Sequence, residues 1–427
     1  MGIGASVNRS VRPVRPVRSA QPAAAVRRTR PGVDLILVLV VAVLGIFGLL
    51  MQYSAGTDYS LLTYGSPYTI FIKQVIFMLL GAGLAYGLSL LDYHRWSKAA
   101  IYLMGITIIL LIAVLVNNEV RNNAVRTFFG GSVQPSELAK VAIVIYLSIW
   151  LFSKRDVLHE LKLGLIPLAV ILGFIAGLIV RQPDLSAAVT IFILGILLFF
   201  LAGGEIWQIL AFSIVALLVG YVVIKFFNNS GTSRIDSFLA GLKDPLNYSD
   251  HVLWSLESIY KGRLFGVGIG QATTKLIGLP VAATDSIFAV IVEELGLVGA
   301  MGLIGLYAAL AWRGFKIAST APDTLGSLMA AGLTSWIIIE AGINMAVMVG
   351  LMPFAGNALP FVSSGGSNLL SVMAAIGILL NISRRSGQPA AAIPGGEGKT
   401  YSASLDLRRR DRRRSVSRSR RPASPAK

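Results

Sequence analysis

The chain has 427 residues, 55% of them hydrophobic and 14% charged, with a formal net charge of +17. A soluble globular domain carries about 25% charged residues, so this composition, with a mean hydropathy of +0.71, places most of the surface in lipid. There is no cysteine and there are three His, which excludes disulfide and thiolate chemistry and argues against a zinc site.

Crossing a bilayer takes roughly 20 apolar residues. Ten runs reach that length, at about 33–54, 69–91, 99–116, 136–153, 163–181, 185–202, 206–227, 285–312, 325–350 and 365–383. They predict an all-α integral membrane protein of ten transmembrane helices, forming one membrane domain over 33–384. A long outer loop, 228–284, joins the seventh and eighth helices. The first run follows a polar stretch with no small-residue cleavage site, so it reads as a helix and not a removable signal.

Basic residues set the orientation. Arg95 and Lys98 mark the second loop as inside, Lys154, Arg155 and Lys162 the fourth, and Arg313 with Lys316 the eighth. The first and ninth loops, 55–68 and 352–363, carry none. Both termini are therefore expected in the cytoplasm. The loop 228–284 falls outside despite its Lys and Arg, because long translocated loops escape the rule.

The excess charge lies in the tails. Residues 1–32 hold seven Arg and no acid, and residues 384–427 hold thirteen Lys/Arg and three acids. The membrane domain between them is neutral. A Val-Arg-Pro repeat at one end and an Arg/Ser/Pro-rich stretch at the other cannot bury a core, so both tails are expected to be disordered. Attraction to anionic membrane lipids, about 1 kcal/mol per basic residue near the surface, is favoured over RNA binding, and no nucleic-acid partner is expected.

Ionisable residues at membrane depth are expensive and read as functional by default. In chain order the first is Arg126, in the outer loop before the fourth helix. Gln134-Pro135-Ser136-Glu137-Leu138-Ala139-Lys140 opens that helix, with Pro suited to a first turn. Glu137 and Lys140, three apart, can pair on one face; the pair is either functional or an ion pair that tolerates burial. Arg181-Gln182-Pro183-Asp184 joins the fifth and sixth helices. Arg126, Lys140 and Arg181 share an outer face and together suit a phosphate-bearing head group, while each alone reads as a snorkelling helix-end cation.

In the outer loop, 254–260 suits a short amphipathic helix. The glycines that follow, Gly262, Gly266, Gly268 and Gly270, suit either a flexible loop or a close backbone approach to a head group. They do not form a dinucleotide fingerprint, which needs a strand-turn-helix context. Asp285 opens the apolar run 286–312. It reads equally as the N-cap of the eighth helix or as a catalytic acid. Glu293 lies about 12 Å deeper and roughly 80° around the axis, placed to support the site. Glu294 points away, toward another helix. The stretch 359–367 includes Ser363, Gly365 and Gly366. It suits either an anion at a helix start or a re-entrant turn packed in protein.

These motifs resemble the SEDS proteins (shape, elongation, division and sporulation), the FtsW/RodA group. The resemblance covers about 33–384. It rests on Gln134-Pro135-Ser136-Glu137-Leu138-Ala139-Lys140, Gln182-Pro183-Asp184-Leu185 and Phe265-Gly266-Val267-Gly268-Ile269-Gly270. It continues through Leu279-Pro280, Thr284-Asp285-Ser286-Ile287-Phe288, Glu293-Glu294-Leu295-Gly296, Leu359-Pro360-Phe361-Val362-Ser363 and Gly365-Gly366-Ser367. The stretch 146–154 and the long tails look more FtsW-like than RodA-like.

The resemblance implies a peptidoglycan glycosyltransferase that polymerises lipid II at the outer face of the bacterial cytoplasmic membrane, beside a class B penicillin-binding protein transpeptidase. Asp285 matches the family's essential acid and would act as general base, with undecaprenyl diphosphate as leaving group. Arg126 and Lys140 match functional basic residues. A divalent cation, Mg or Mn, is a candidate cofactor, and no organic cofactor is expected. The chain departs from the family pattern at Val281, Ala283 and Ser364. The alternatives are a lipid II flippase and a weakly active scaffold for a division transpeptidase.

Overall fold

A computed structural model of the chain describes residues 32–117, 134–182, 184–227 and 229–386. Arg126, most of the two basic tails and Pro183 lie outside the described residues. Within them the regular secondary structure is helical throughout. Helices α1 (Leu35–Tyr64), α2 (Thr69–Leu90), α3 (Trp96–Asn117) and α4 (Pro135–Lys154) are followed by α5 (Ile166–Val180), α6 (Leu185–Leu201) and α7 (Ile206–Phe227). Three shorter helices come next, α8 (Asn229–Lys243), α9 (Asp250–Gly262) and α10 (Thr274–Ile277). The long α11 (Ile287–Ser319), α12 (Thr324–Met348) and α13 (Gly366–Arg385) complete the order.

Nine helical segments among the described residues are long and apolar enough to cross a membrane, and α6, at 17 residues, is a shorter apolar helix. The chain is therefore a multi-pass helical membrane protein. Helices α4, α11, α12 and α13 are largely buried, whereas α7 buries almost nothing. That contrast places the first four at the centre and leaves Leu, Ile and Val of α7 for lipid. Helix α13 packs on α2, α11 on α12 and α3 on α4.

Two boundaries differ from the sequence reading. Helix α1 continues ten residues past the first apolar run. Gln52, Ser54 and Ser60 are buried in protein, so their polarity does not end the helix; Gly65 does, in a left-handed conformation (φ 70°) that donates its N–H to Leu61 O at 2.9 Å. The loop 228–284 is not a simple connection, since α8, α9 and α10 occupy most of it, and α9 packs on α11.

Helix α11 is broken inside its membrane span. Gly296 has φ 68° and ψ −169°, which interrupts the ladder where water cannot replace it. The glycine-rich loop supplies the missing partners. Val267 and Gly268 N–H donate to Glu293 and Glu294 carbonyls at 2.9 and 3.0 Å, and Leu297 and Val298 N–H donate to Arg263 and Leu264 carbonyls at 2.9 and 3.1 Å. A Cβ on Gly262 would overlap the Val292 carbonyl, and one on Gly266 the Glu294 carbonyl. The close approach for which these glycines are needed is thus to the backbone of α11, not to a head group.

At the opposite end of the bundle from Asp285, Asp34 caps α1 and pairs with Arg313 at 2.5 Å. Asp323 caps α12 and meets His94 Nε2 at 2.7 Å, while His94 Nδ1 meets Asp92 at 2.8 Å. Arg385 reaches Asp92 at 3.0 Å. Burial pushes the Asp92 carboxyl up, but the His94 amide and ring, with Arg385, outweigh it and hold the group below its ordinary value.

Candidate active site around Asp285

Asp285 stands two residues before α11, next to its N-cap. The cap position falls on Ser286, which makes no side-chain cap bond. What fixes Asp285 is its backbone, because three successive carbonyls leading to it are each held by a different part of the fold. Ala283 O accepts from Gln52 Nε2 of α1 at 2.6 Å and from Ser364 N at 2.9 Å. Thr284 O accepts from Ser363 Oγ at 2.6 Å. Asp285 O accepts from Asn344 Nδ2 of α12 at 2.8 Å. The residue itself stays partly exposed.

The turn at 359–363 is packed in protein, with Leu359, Phe361 and Val362 buried. It is tied to the Asp285 turn by Gln52, whose amide also donates to Val362 O at 2.8 Å. Both turns carry backbone strain. Val281 has φ 46° and Phe361 φ 68°, each costing about 1–3 kcal/mol and persisting only where surroundings over-determine the geometry. Here the Gln52 and Ser363 bonds do that. Ser363 Oγ also accepts from Leu359 N at 2.7 Å, so its hydroxyl joins the two turns, where the sequence suggested a ligand contact. Gly366 lies where a Cβ would overlap the Phe77 ring, and Gly365 occupies the N-cap of α13.

Lys140 is occupied by protein partners. It is 1% exposed and pairs with Glu137 Oε2 at 2.8 Å and with Glu340 Oε1. The Trp336 ring lies 5.8 Å away, and Asn368 Nδ2 donates to Glu137 at 2.8 Å. Glu137 and Lys140 therefore form a buried ion-pair centre joining α4, α12 and α13. Next to it, Asp184 caps α6 and accepts from Gln134 Nε2 at 2.9 Å and Ser136 Oγ at 2.8 Å. Arg181 is exposed at the end of α5. A cavity of about 190 Å³ lies beside this corner, lined by Phe77, Leu110, Leu138 and Leu370 with Gln134 and Ser367 at its polar side.

Glu293 is also occupied. Its carboxylate accepts from Thr273 N at 2.9 Å, Thr274 N at 3.3 Å and Thr274 Oγ1, so it anchors the start of α10. Glu294 accepts from Ser54 of α1 at 2.6 Å and pairs with Lys275 at 2.9 Å. The two acids clamp residues 273–275 to the break in α11.

Sequence reading missed Gln52, Glu340, Asn344 and His251. The first three are polar residues inside apolar runs, and that is the signal that marks them. His251, on α9, stacks on Phe354 with centroids 3.9 Å apart and its Nδ1 lies 3.4 Å from Ser286 Oγ. Arg234 lies over the same Phe354 ring at 5.4 Å. Burial, then the Arg234 charge, lower the His251 pKa to about 4 against the opposing pull of Asp250. A free His titrates near 6.5, so between about 6.5 and 4 the unfolded chain binds the extra proton. Stability contributed by neutral His251 is complete above 6.5 and falls as pH drops through that window. Thermal unfolding in nanodiscs is expected to show a Tm that declines from pH 7 to pH 4.5, with a shallower decline in His251→Gln; equal slopes would show that His251 is not a source of the loss.

Among the described residues no three His, Asp or Glu side chains converge on a metal position. The carbonyls of 283–285 are already taken by donors. Among the described residues these do not form a protein-made cage for a divalent cation.

The fold and site together define a polytopic membrane protein with one partly exposed acid on a clamped backbone, set above a buried ion-pair centre. A family model described as cell cycle protein, FtsW/RodA/SpoVE, matches residues 34–388. The chain is 36% identical over 371 residues to a probable peptidoglycan glycosyltransferase FtsW of Trichlorobacter lovleyi, covering 86% of this chain and 96% of that one. It is 35% identical to stage V sporulation protein E of Bacillus subtilis, covering 84% and 99%. Among solved structures it is similar to a chain of a peptidoglycan synthase complex that coordinates polymerization and crosslinking (TM-score 0.69, 27% identity, 83% and 99% covered). It is also similar to rod shape determining protein RodA of Thermus thermophilus (TM-score 0.61, 25% identity, 83% and 97% covered). The chain belongs to the FtsW/RodA/SpoVE family.

Proposed function

We propose that this chain polymerises lipid II at the outer face of the cytoplasmic membrane, with Asp285 as general base. Its family makes it a peptidoglycan glycosyltransferase. The observation that carries the catalytic assignment is the threefold clamp on the carbonyls of Ala283, Thr284 and Asp285, which presents a partly exposed carboxylate from a fixed backbone. A base must be held within hydrogen-bond reach of the proton that it removes, and here the positioning is built into the turn itself.

Asp285 takes the proton from the acceptor sugar's 4-hydroxyl. That oxygen attacks the anomeric carbon of the donor, the bond to the diphosphate breaks, and the diphosphate leaves with the electron pair and inversion at the sugar. A diphosphate needs its charge met more than it needs a proton. With Lys140 buried between two carboxylates, the described candidate for that role is Arg181, exposed at the end of α5. A class B transpeptidase is the proposed partner, supported by the likeness to a chain of a synthase complex that couples polymerization to crosslinking.

The test is purified protein with its cognate transpeptidase, given lipid II in two assays, one for glycan strands and one for movement of labelled lipid II across liposomes. Strand formation without translocation is expected. Translocation without strands would replace the enzyme by a flippase.

A further inference from the structure

We propose that Glu340 is held as the neutral acid and donates its proton to Asn344, and that this bond positions Asp285; the role given to Asp285 is that of the proposed function above. Asn344 Nδ2 donates to two carbonyls, Asp285 O at 2.8 Å and Asn357 O at 2.6 Å. Carbonyls cannot donate, so the orientation of this amide is fixed by its partners and its Oδ1 must point elsewhere. Asn344 Oδ1 finds no partner among the described residues, although Asn344 is fully buried.

One helical turn earlier on the same face stands Glu340, also fully buried. Its Oε1 meets Lys140, and its Oε2 has no partner among the described residues. Two orphaned acceptors at i and i+4 cost far more than one in a site that water does not reach. A single proton on Glu340 Oε2 turns them into a donor and an acceptor and resolves both. The charge balance agrees. Lys140 is one cation between Glu137 and Glu340, with Asp184 close by. If both glutamates were ionised, the trio would carry an uncompensated negative charge in a buried place; with Glu340 neutral it carries none. The charged and titratable groups acting on Glu340 are Lys140 and Glu137 from α4, Asp184 at the start of α6 and Tyr307 from α11.

The network closes on itself. Asn357 Nδ2 donates back to Glu340 O at 2.9 Å, so Glu340, Asn344 and Asn357 form a ring whose outward bond is the one to Asp285. Lys140 then acts at a distance, by holding Glu340, and not by touching substrate. Glu340 and Asn344 are positioning residues for the base.

The experiment pairs infrared spectroscopy with kinetics on the full chain, purified with its transpeptidase. At pH 7 the wild type is expected to show a protonated carboxylic-acid C=O band that is missing from Glu340→Gln. Glutamine keeps an acceptor for Lys140 and a donor for Asn344, so Glu340→Gln is expected to polymerise lipid II within about threefold of wild type. Glu340→Ala and Asn344→Asp are expected to lose about 10²-fold in kcat with KM for lipid II little changed, the scale of a misplaced catalytic group. An ionised Glu340 served by a water from the Trp336 indole predicts the opposite: no band, and Glu340→Gln as damaging as Glu340→Ala. Either result overturns the proposal. The band does not depend on activity, so failure of the general-base reading, seen in Asp285 variants, stays separate from failure of this one.

Discussion

Asp285→Asn is expected to lower lipid II polymerisation by at least about 10²–10⁴-fold, the usual contribution of a positioned general base, with the melting temperature and partner binding little changed. The substitution removes the charge and keeps nearly the same shape. Gln52, Ser363, Ser364 and Asn344 hold the turn through the backbone of 283–285, which asparagine shares. The cap position of helix α11 is Ser286. In free-energy terms the loss corresponds to about 3–5 kcal/mol in the barrier. Measured as strand formation by the purified complex, a wild-type rate in Asp285→Asn would remove the base from the mechanism. A rate lost together with the fold would show that Asp285 belongs to the architecture.

Family likeness singles out Asp285 from sequence, but its surroundings show why the position works. The acid itself, the apolar runs and the Glu137–Lys140 pair are all local patterns, readable from spacing of three or four residues. Lys140's second partner, Glu340, is not local, and without it a lysine on the outer third of a helix looks free to bind phosphate. In the fold it is buried between two carboxylates. Glu293 shows the same limit. Its place on the helix is predictable from periodicity, but the Thr273 and Thr274 donors that occupy it come from a loop whose path no periodicity describes. Glu340 and Asn344 were open to the rule that raised interest in Asp285, being polar residues inside an apolar run. They become informative only when the loops at both ends of the network are in place.

The strain at Val281 and Phe361 belongs to the same design. Neither conformation suits its residue. Gln52 crosses from α1 to hold Ala283 and Val362 at once, so the two strained turns are stabilised by one side chain from a third element. Rigidity at Asp285 therefore comes from long-range hydrogen bonds and not from the propensity of its own segment, and a segment-by-segment reading does not find it.

Gly266→Ala and Gly296→Ala are expected to cost most of the folded protein, with Gly296→Ala the worse. At Gly296 the backbone conformation (φ 68°, ψ −169°) is one that essentially only glycine adopts, costing an L-residue about 1–3 kcal/mol. A Cβ there would also overlap Gly266 N and Leu264 O, and backbone cannot move aside as a side chain does. At Gly266 (φ 78°) a Cβ would overlap the Glu294 carbonyl. Relief in either variant means separating the loop from α11, which breaks the four bonds from residues 263–268 to 293–298. In water each is worth about 0.5–1.5 kcal/mol net, but leaving such a group unpaired and buried costs about 1–3 kcal/mol. The combined penalty, about 5 kcal/mol or more by these figures, is comparable with the whole stability of a typical domain. Size-exclusion chromatography with heating should show a large fall in the fraction surviving for both variants. Gly270→Ala serves as the control. That residue also has a positive φ (84°), but a Cβ there meets nothing within 4 Å, so it carries the conformational cost without the overlap and should lose far less. If all three behave alike, the loop is not docked in the break of α11, and Glu293 and Glu294 must be held by something else.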